Sequence, residues 1–186
     1  MSLVAIIDTP LAGLKIIRRK ILSDARGSLA RLFCAQALAP AGWHKPIAQI
    51  NHTRTHHAGT VRGMHYQEGA HAEMKLVTCL AGAIWDVAVD LRHGSPTFLQ
   101  WHAVQLSSDN DSSLLIPEGF AHGFQALTDD VSLHYCHSEF YAPAAERGLH
   151  PQDWHLGITW PRPVTGLSAR DAAHPWIDFA FKGVTL

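Results

Sequence analysis

The chain has 186 residues, 47% of them apolar and 17% charged, enough for a folded globular body with a substantial core and too apolar for a disordered chain. A formal net charge of -1 excludes a general nucleic-acid footprint, and no apolar run approaches the roughly 20 residues of a membrane helix. Three widely spaced cysteines, Cys34, Cys79 and Cys136, without a C-x-x-C pair argue against a disulfide framework or a zinc ribbon and for a reducing, cytoplasmic setting.

Met1-Ser2-Leu3 could in part be a cloning remnant and are left out of the fold reading; no basic region followed by a long apolar core suggests a secretion signal. Leu14 to Leu22 reads as a strand, with Arg18-Arg19-Lys20 as its solvated end. Asp24 to Gly27 reads as a turn and Ser28 to Cys34 as a second strand. Ile47 to Arg54 and Lys75 to Ala81 follow as strands. Ala83 to Leu91 alternates, with Trp85, Val87, Val89 and Leu91 on one face and Asp86, Ala88 and Asp90 on the other. Arg92 to Thr97 is a turn, Phe98 to Leu106 a strand and Ser107 to Ser113 a polar connection. Val131 to Tyr141 alternates again, placing Leu133, Tyr135, His137 and Tyr141 on one face. From Ala142 onward, repeated prolines predict loop with short helices, one near Ser168 to Ala173. Many short strands with few helical patterns predict an all-β sandwich or barrel, with residues 1–186 as a single domain.

Two stretches carry the chemistry. Val61-Arg62-Gly63-Met64-His65-Tyr66-Gln67 is a dense polar run between strand-like segments, followed by Lys75. Pro117-Glu118-Gly119-Phe120-Ala121-His122 has the P-x-G-x-x-H spacing that closes the second signature of cupin jelly-roll barrels. In the first cupin signature six residues separate an acidic metal ligand from a glycine. Here that glycine is Gly82, and Lys75 stands at the acidic position. The H-x-H pair is also missing, since His65 is followed by Tyr66 and Gln67. An ammonium repels a divalent ion but suits an oxyanion that forms during reaction. The pocket is therefore expected to hold no metal and to carry out proton transfer next to a carbonyl. That chemistry needs a base, for which His65 is the candidate, and an acid, for which Tyr135 is the candidate. Arg62 is suited to grip a phosphate with two parallel hydrogen bonds. His122 is expected to accept a structural partner, with Asp86 as the candidate carboxylate. The histidines at 56, 57, 71, 93, 102, 134, 137, 150, 155 and 174 receive no role.

At these residues the chain resembles the dTDP-4-dehydrorhamnose 3,5-epimerase family. The likeness runs from about Leu14 to Pro175 and includes Asn51-His52-Thr53-Arg54, Val61 to Gln67, Asp86 to Arg92, Gly94 to Phe98, Ile116 to Phe124, Tyr141-Ala142-Pro143, Gly157 to Pro161 and Leu167 to Asp171. The resemblance implies a metal-free, cofactor-free, homodimeric cupin acting on a nucleotide-linked 4-keto-6-deoxy sugar. Carried over by position, His65 is the base, Asp171 its orienting carboxylate, Lys75 the enolate partner and Tyr135 the acid on the opposite face. Arg26 and Arg62 are implied at the diphosphate or sugar, Gln49 at the nucleotide, His122 at the sugar, Arg170 near the diphosphate, and Tyr141 among the substrate-binding residues. Arg31 replaces the family's usual glutamate, Cys136 a lysine, His134 an apolar residue and Phe140 a tyrosine. These departures imply altered substrate reading with the chemistry intact. Other readings of the same pocket are a single-site epimerase, a keto-sugar isomerase, or a sugar-nucleotide binding cupin without catalysis.

Overall fold

The computed structural model describes residues 4–186; Met1-Ser2-Leu3 lie outside the described residues. In chain order the strands are β1 (Val4–Asp8), β2 (Lys15–Arg19), β3 (Ile21–Asp24), β4 (Gly27–Ala30), β5 (Gln49–Thr55), β6 (Val61–Gln67), β7 (Lys75–Ala81), β8 (Ala83–Asp90), β9 (Trp101–Ser107), β10 (Ser112–Ile116), β11 (Phe120–Ala126), β12 (Val131–His137) and β13 (Glu146–Gly148). Two short helices, α1 (Ala35–Leu38) and α2 (Ala169–Ala172), complete the set. The strands form a six-stranded sheet in the order β1-β2-β10-β7-β12-β5, a five-stranded sheet in the order β13-β6-β11-β8-β9, and a separate β3-β4 hairpin. The two large sheets face each other as a cupin jelly roll.

Alternation along the strands divides the apolar residues into three layers. Between the sheets lie Val77, Leu114, Phe124, Leu133 and the ring of Tyr135. Outside the five-stranded sheet, Val87, Val89 and Leu91 of β8 pack with Met64 and Tyr66 against Leu149, Leu156, Ile177 and Val184 of the C-terminal segment. The apolar face predicted for β8 is thus an outer face, covered by the proline-rich tail. Its polar face, with Asp86, points between the sheets. Outside the six-stranded sheet, Ile17, Leu76, Leu115 and Cys136 pack against Leu38 and Trp43.

Several predicted elements end earlier than the pattern suggested. The strand read over Leu14 to Leu22 is two strands, because Lys20 separates β2 from the hairpin. Arg19 is not part of a solvated end: it is buried, its guanidinium donates to Ser113, and burial pushes its pKa down against the nearby Asp111 charge. The strand read over Ser28 to Cys34 stops at Ala30, where the hairpin pairing ends and the chain moves toward α1. The strand read from Phe98 begins at Trp101. The preceding turn is extended by Asp90, whose carboxylate accepts from Arg92, Ser95 and Thr97. Val131 to Tyr141 is a strand only to His137. Strands β1, β6, β10, β11 and β13 lie outside the predicted set: Val61 to Gln67 and Pro117 to His122 were read as chemical motifs, and Ser112-Ser113 as part of a polar connection.

Burial alone would raise the Asp90 carboxyl. The Arg92, Ser95 and Thr97 hydrogen bonds outweigh it and bring the pKa from 3.8 to about 2. A carboxyl whose pKa is lower in the folded state stabilises the fold above its unfolded value and loses that contribution as pH falls through the folded value. In acid-unfolding measurements, wild type should be more stable than Asp90→Asn above about pH 4. That difference should shrink as pH drops toward 2. A difference independent of pH over that window would exclude this role of the charge.

Candidate active site

One cavity, about 530 Å³ in volume, opens between the sheets. That is within the usual range for a small-molecule site. Its walls come from β6 and β11 on one side and β5, β7 and β12 on the other.

The floor depends on two glycines. Gly63 in β6 and Gly123 in β11 lie so close that a Cβ on Gly63, at φ 137°, would sit 2.5 Å from the Gly123 Cα. A Cβ on Gly123 would sit 2.6 Å from the Met64 Sδ. The β6–β11 register shifts at this point, between His122 and Phe124. An irregularity of this kind breaks the two-residue alternation. Arg62 and His65, an odd number of residues apart, therefore both line the cavity, while Met64 packs in the outer layer.

His65 Nε2–H donates to Asp171 Oδ1 at 2.7 Å. Asp171 reaches this position from α2, whose N-cap Ser168 hydroxyl accepts the Asp171 backbone N–H at 3.0 Å. Burial would raise the Asp171 carboxyl, but the His65 hydrogen bond and charge, with the Gly63 N–H, hold it below the usual range. The bond to Asp171 uses Nε2 and leaves Nδ1 as the second imidazole nitrogen for acid–base work.

Lys75 is 7% exposed, and its Nζ lies 3.4 Å from the His65 carbonyl oxygen and 3.2 Å from Glu73 Oε1. Glu73 also accepts from His137 Nδ1 at 2.7 Å. Burial opposes ionisation of Glu73, yet Lys75 and His137 outweigh it and keep the carboxyl below its ordinary range. Tyr135 stands on β12, in the wall facing β6. Its ring stacks on His137 with centroids 5.9 Å apart and meets His122 edge-on at 5.9 Å. Burial, and then the Asp86 charge, push its phenol well above the ordinary tyrosine value, so it is a protonated donor at neutral pH. His122 donates from Nε2 to Asp86 Oδ1 at 2.7 Å, and the carboxylate inferred from strand alternation is the one it uses.

The remaining predicted residues divide. Arg62 is held by Thr55 Oγ1 at 3.1 Å and the Arg54 carbonyl at 3.0 Å, with its guanidinium at the cavity. Gln49 accepts the Tyr141 N–H at 2.9 Å. The Tyr141 hydroxyl donates to Glu146 at 2.6 Å, and Arg170 pairs with the same carboxylate at 2.5 Å. Together they form a polar rim. Arg26 is not brought to this cavity. It sits at the tip of the β3-β4 hairpin, 90% exposed, in a salt bridge with Asp24.

Two of the departures also lie elsewhere. On β12 the residues facing inward are Leu133, Tyr135 and His137, so His134 and Cys136 point to the outer face. Cys136 packs there with Leu76 and Trp43, and burial pushes its thiol up to about 11. Neither residue can read a substrate from that side of the sheet. Arg31 lies just after β4, with Nη1 3.9 Å from Cys34 Sγ, and does not line the cavity. Phe140 is 67% exposed.

Glu73, His137 and Glu146 also line the cavity and were not among the residues expected there. A signal for the first two was present. Glu73 lies two residues before Lys75 and His137 two after Tyr135, the spacing that puts side chains on one face of a strand. Glu146 comes from the segment read as loop and offered no such pattern.

A jelly-roll barrel with a histidine–carboxylate pair, a buried lysine and a protonated tyrosine around one cavity defines a cupin equipped for proton transfer beside a carbonyl. The family model for dTDP-4-dehydrorhamnose 3,5-epimerase matches residues 8–178, and the chain belongs to that family. The epimerase of that name from Salmonella typhimurium is 38% identical over 177 residues, covering 94% of this chain and 96% of its own. The solved dTDP-6-deoxy-D-glucose-3,5-epimerase of Legionella pneumophila, in complex with dTDP-4-keto-L-rhamnose, is 41% identical with a TM-score of 0.88, covering 93% of this chain and 92% of that one. A 3'-monoepimerase from Streptomyces bikiniensis, solved with dTDP-quinovose, is 36% identical with a TM-score of 0.84, covering 91% and 86%.

Proposed function

We propose that this chain is an isomerase that inverts carbon 3, carbon 5 or both in a dTDP-linked 4-keto-6-deoxy sugar, in deoxysugar biosynthesis of the dTDP-rhamnose type. The observation that carries this reading is the placement of the His65–Asp171 pair and Lys75 at one cavity in a chain of this family.

The 4-keto group acidifies the hydrogens on carbons 3 and 5. His65 takes one of them as a proton, and the C–H electron pair moves into a carbon–carbon double bond while the carbonyl becomes an enolate oxygen. Asp171 holds the imidazole in orientation and offsets the charge it gains. Lys75 presents a fixed cation to the enolate oxygen. Inversion requires the new proton to arrive from the other face. Tyr135, on the wall facing His65, supplies it as a neutral phenol and is reprotonated from solvent. His122, fixed by Asp86, shapes the sugar region. Arg62 binds the diphosphate or sugar, Arg170 lies near the diphosphate, Gln49 serves the nucleotide end and Tyr141 contacts the substrate.

Residues 1–186 form one epimerase domain. We place it in the cytoplasm as a homodimer with no metal or other cofactor. Exposed Leu22 and Leu29, paired across the hairpin, and Ile50 on edge strand β5 supply apolar surface for contact between copies. No described helix is long and apolar enough to cross a membrane.

The test is uptake of solvent deuterium at carbons 3 and 5 of a dTDP-4-keto-6-deoxy sugar. Uptake at one carbon alone identifies a single-site epimerase, the activity named for the similar Streptomyces bikiniensis 3'-monoepimerase. Tight binding with no uptake at any enzyme level would reject catalysis. In Tyr135→Phe, proton abstraction should continue while inversion slows by about 10²-fold or more. Full-rate epimerisation in that variant would remove Tyr135 from the acid role.

A further inference from the structure

His174 lies three residues after Asp171, and its ring approaches the same carboxylate as His65. His174 Nε2 is 3.7 Å from Asp171 Oδ1, and the two imidazole rings meet edge-on with centroids 5.4 Å apart. The side chain is 12% exposed, and Nε2 is buried without a hydrogen-bond partner. Leaving such a nitrogen unpaired costs stability. The ring nonetheless has a prepared place, because any Cβ at Gly148 would overlap it, and Gly148 is the β13 residue paired with His65 in β6. Burial, and then the charge of His65, lower the His174 pKa. Two histidine nitrogens and one carboxylate oxygen thus converge within 4.8 Å of one another, the one such cluster among the described residues.

We propose that His65 Nε2, Asp171 and His174 Nε2 form a binding site for a divalent transition ion of the zinc class, acting as an inhibitory ligand rather than a participant in the reaction. Four-coordinate zinc holds N and O ligands at about 2.0–2.2 Å, which places ligand atoms roughly 3.4 Å apart. The two nitrogen–oxygen separations, 2.7 and 3.7 Å, bracket that value, and all three ligand atoms lie within 4.8 Å of one another, so side-chain shifts of about 1 Å close the set. Imidazole nitrogen and carboxylate oxygen suit Zn²⁺, Cu²⁺, Co²⁺ and Ni²⁺ better than Mg²⁺ or Ca²⁺. Glu146 also lies near both histidines, with its charge paired to Arg170, so the attraction for the ion comes from Asp171. Ion binding at Nε2 requires that nitrogen to release its proton, and a neutral imidazole then carries its proton on Nδ1. Nδ1 is the nitrogen left to accept the sugar proton, so metal occupancy removes the base. This consequence rests on the proposed role of His65; the binding itself does not.

The experiment uses the full chain without a histidine tag. Co²⁺ absorption and Cu²⁺ electron paramagnetic resonance report binding, and Zn²⁺ inhibition of deuterium uptake reports its consequence. One equivalent of Cu²⁺ with two nitrogen ligands is expected. His174→Ala should weaken binding at least about tenfold, since loss of a direct ligand costs no less than loss of an outer-shell partner. A His56→Ala/His57→Ala variant, which removes the exposed neighbouring pair, should bind as wild type does. Unchanged affinity in His174→Ala, or loss of the bound equivalent in the His56/His57 variant, would overturn the site. If His174→Ala does not fold, His174→Gln gives the same reading with most of the side-chain volume kept. Binding at the site with undiminished deuterium uptake would instead overturn the role of His65 as base.

Discussion

His65→Ala should abolish deuterium uptake at both carbon 3 and carbon 5, with turnover reduced by about 10³-fold or more. A positioned general base contributes about 10²–10⁴-fold. The Asp171 partner adds to the effect because the histidine works only in the tautomer and orientation that the carboxylate sets. Losing the base removes both exchanges together, since one imidazole serves both carbons flanking the ketone. The alanine variant should bind dTDP with affinity near wild type, because the proposed nucleotide contact is Gln49 on β5 and not His65 on β6. Asp171→Asn is the companion measurement. The amide is nearly isosteric with the carboxylate but cannot offset an imidazolium, so turnover should fall while the fold is kept. Retention of exchange at either carbon in His65→Ala would assign that carbon to a different base.

Lys75→Met should lose about 10²–10³-fold in turnover, the usual effect of deleting one donor to a developing oxyanion. It should also destabilise the fold, for a separate reason. Lys75 and Glu73 are about nine-tenths buried, and methionine leaves the Glu73 carboxylate with His137 alone. Breaking a buried ion pair from one side costs about 3–5 kcal/mol; the remaining His137 bond sets the expectation near the lower end. The double variant Lys75→Met/Glu73→Gln removes the stranded charge. It should regain most of the stability in a denaturant titration and none of the turnover. Recovery of turnover in the double variant would mean that Lys75 acts by neutralising Glu73, not by stabilising the enolate.

Of the strands that build the cavity, β5, β7 and β12 were legible because their signals are local, whereas β6 and β11 were read as chemical motifs and not as strands. The two faces of β8 follow from alternation alone, and the pairing of His122 with Asp86 was inferred from that alternation before the fold was known. A short helix was predicted near Ser168 to Ala173 and occurs as α2. Boundaries were less legible. Where a strand stops depends on its neighbour: β4 ends when β3 no longer pairs with it, and β9 starts late because Asp90 holds the preceding turn. Arg19 looked like part of a charged strand end, and only the packing of β10 beside β2 buries it.

The all-β class, the family and the exchange of an acidic metal ligand for Lys75 are readable from residue identity and spacing along one strand or turn. What those residues meet depends on how the strands and the C-terminal segment pack. The Gly63–Gly123 approach turns Arg62 and His65 to one cavity, and α2 brings Asp171 across from the far end of the chain. The fold buries Glu73 and His137 beside Lys75, sends His134 and Cys136 to the outer face, and sets His174 against the Asp171 carboxylate. These are contacts between residues distant in sequence. Their geometry depends on sheet register and on the path of the C-terminal segment, and no local pattern encodes either.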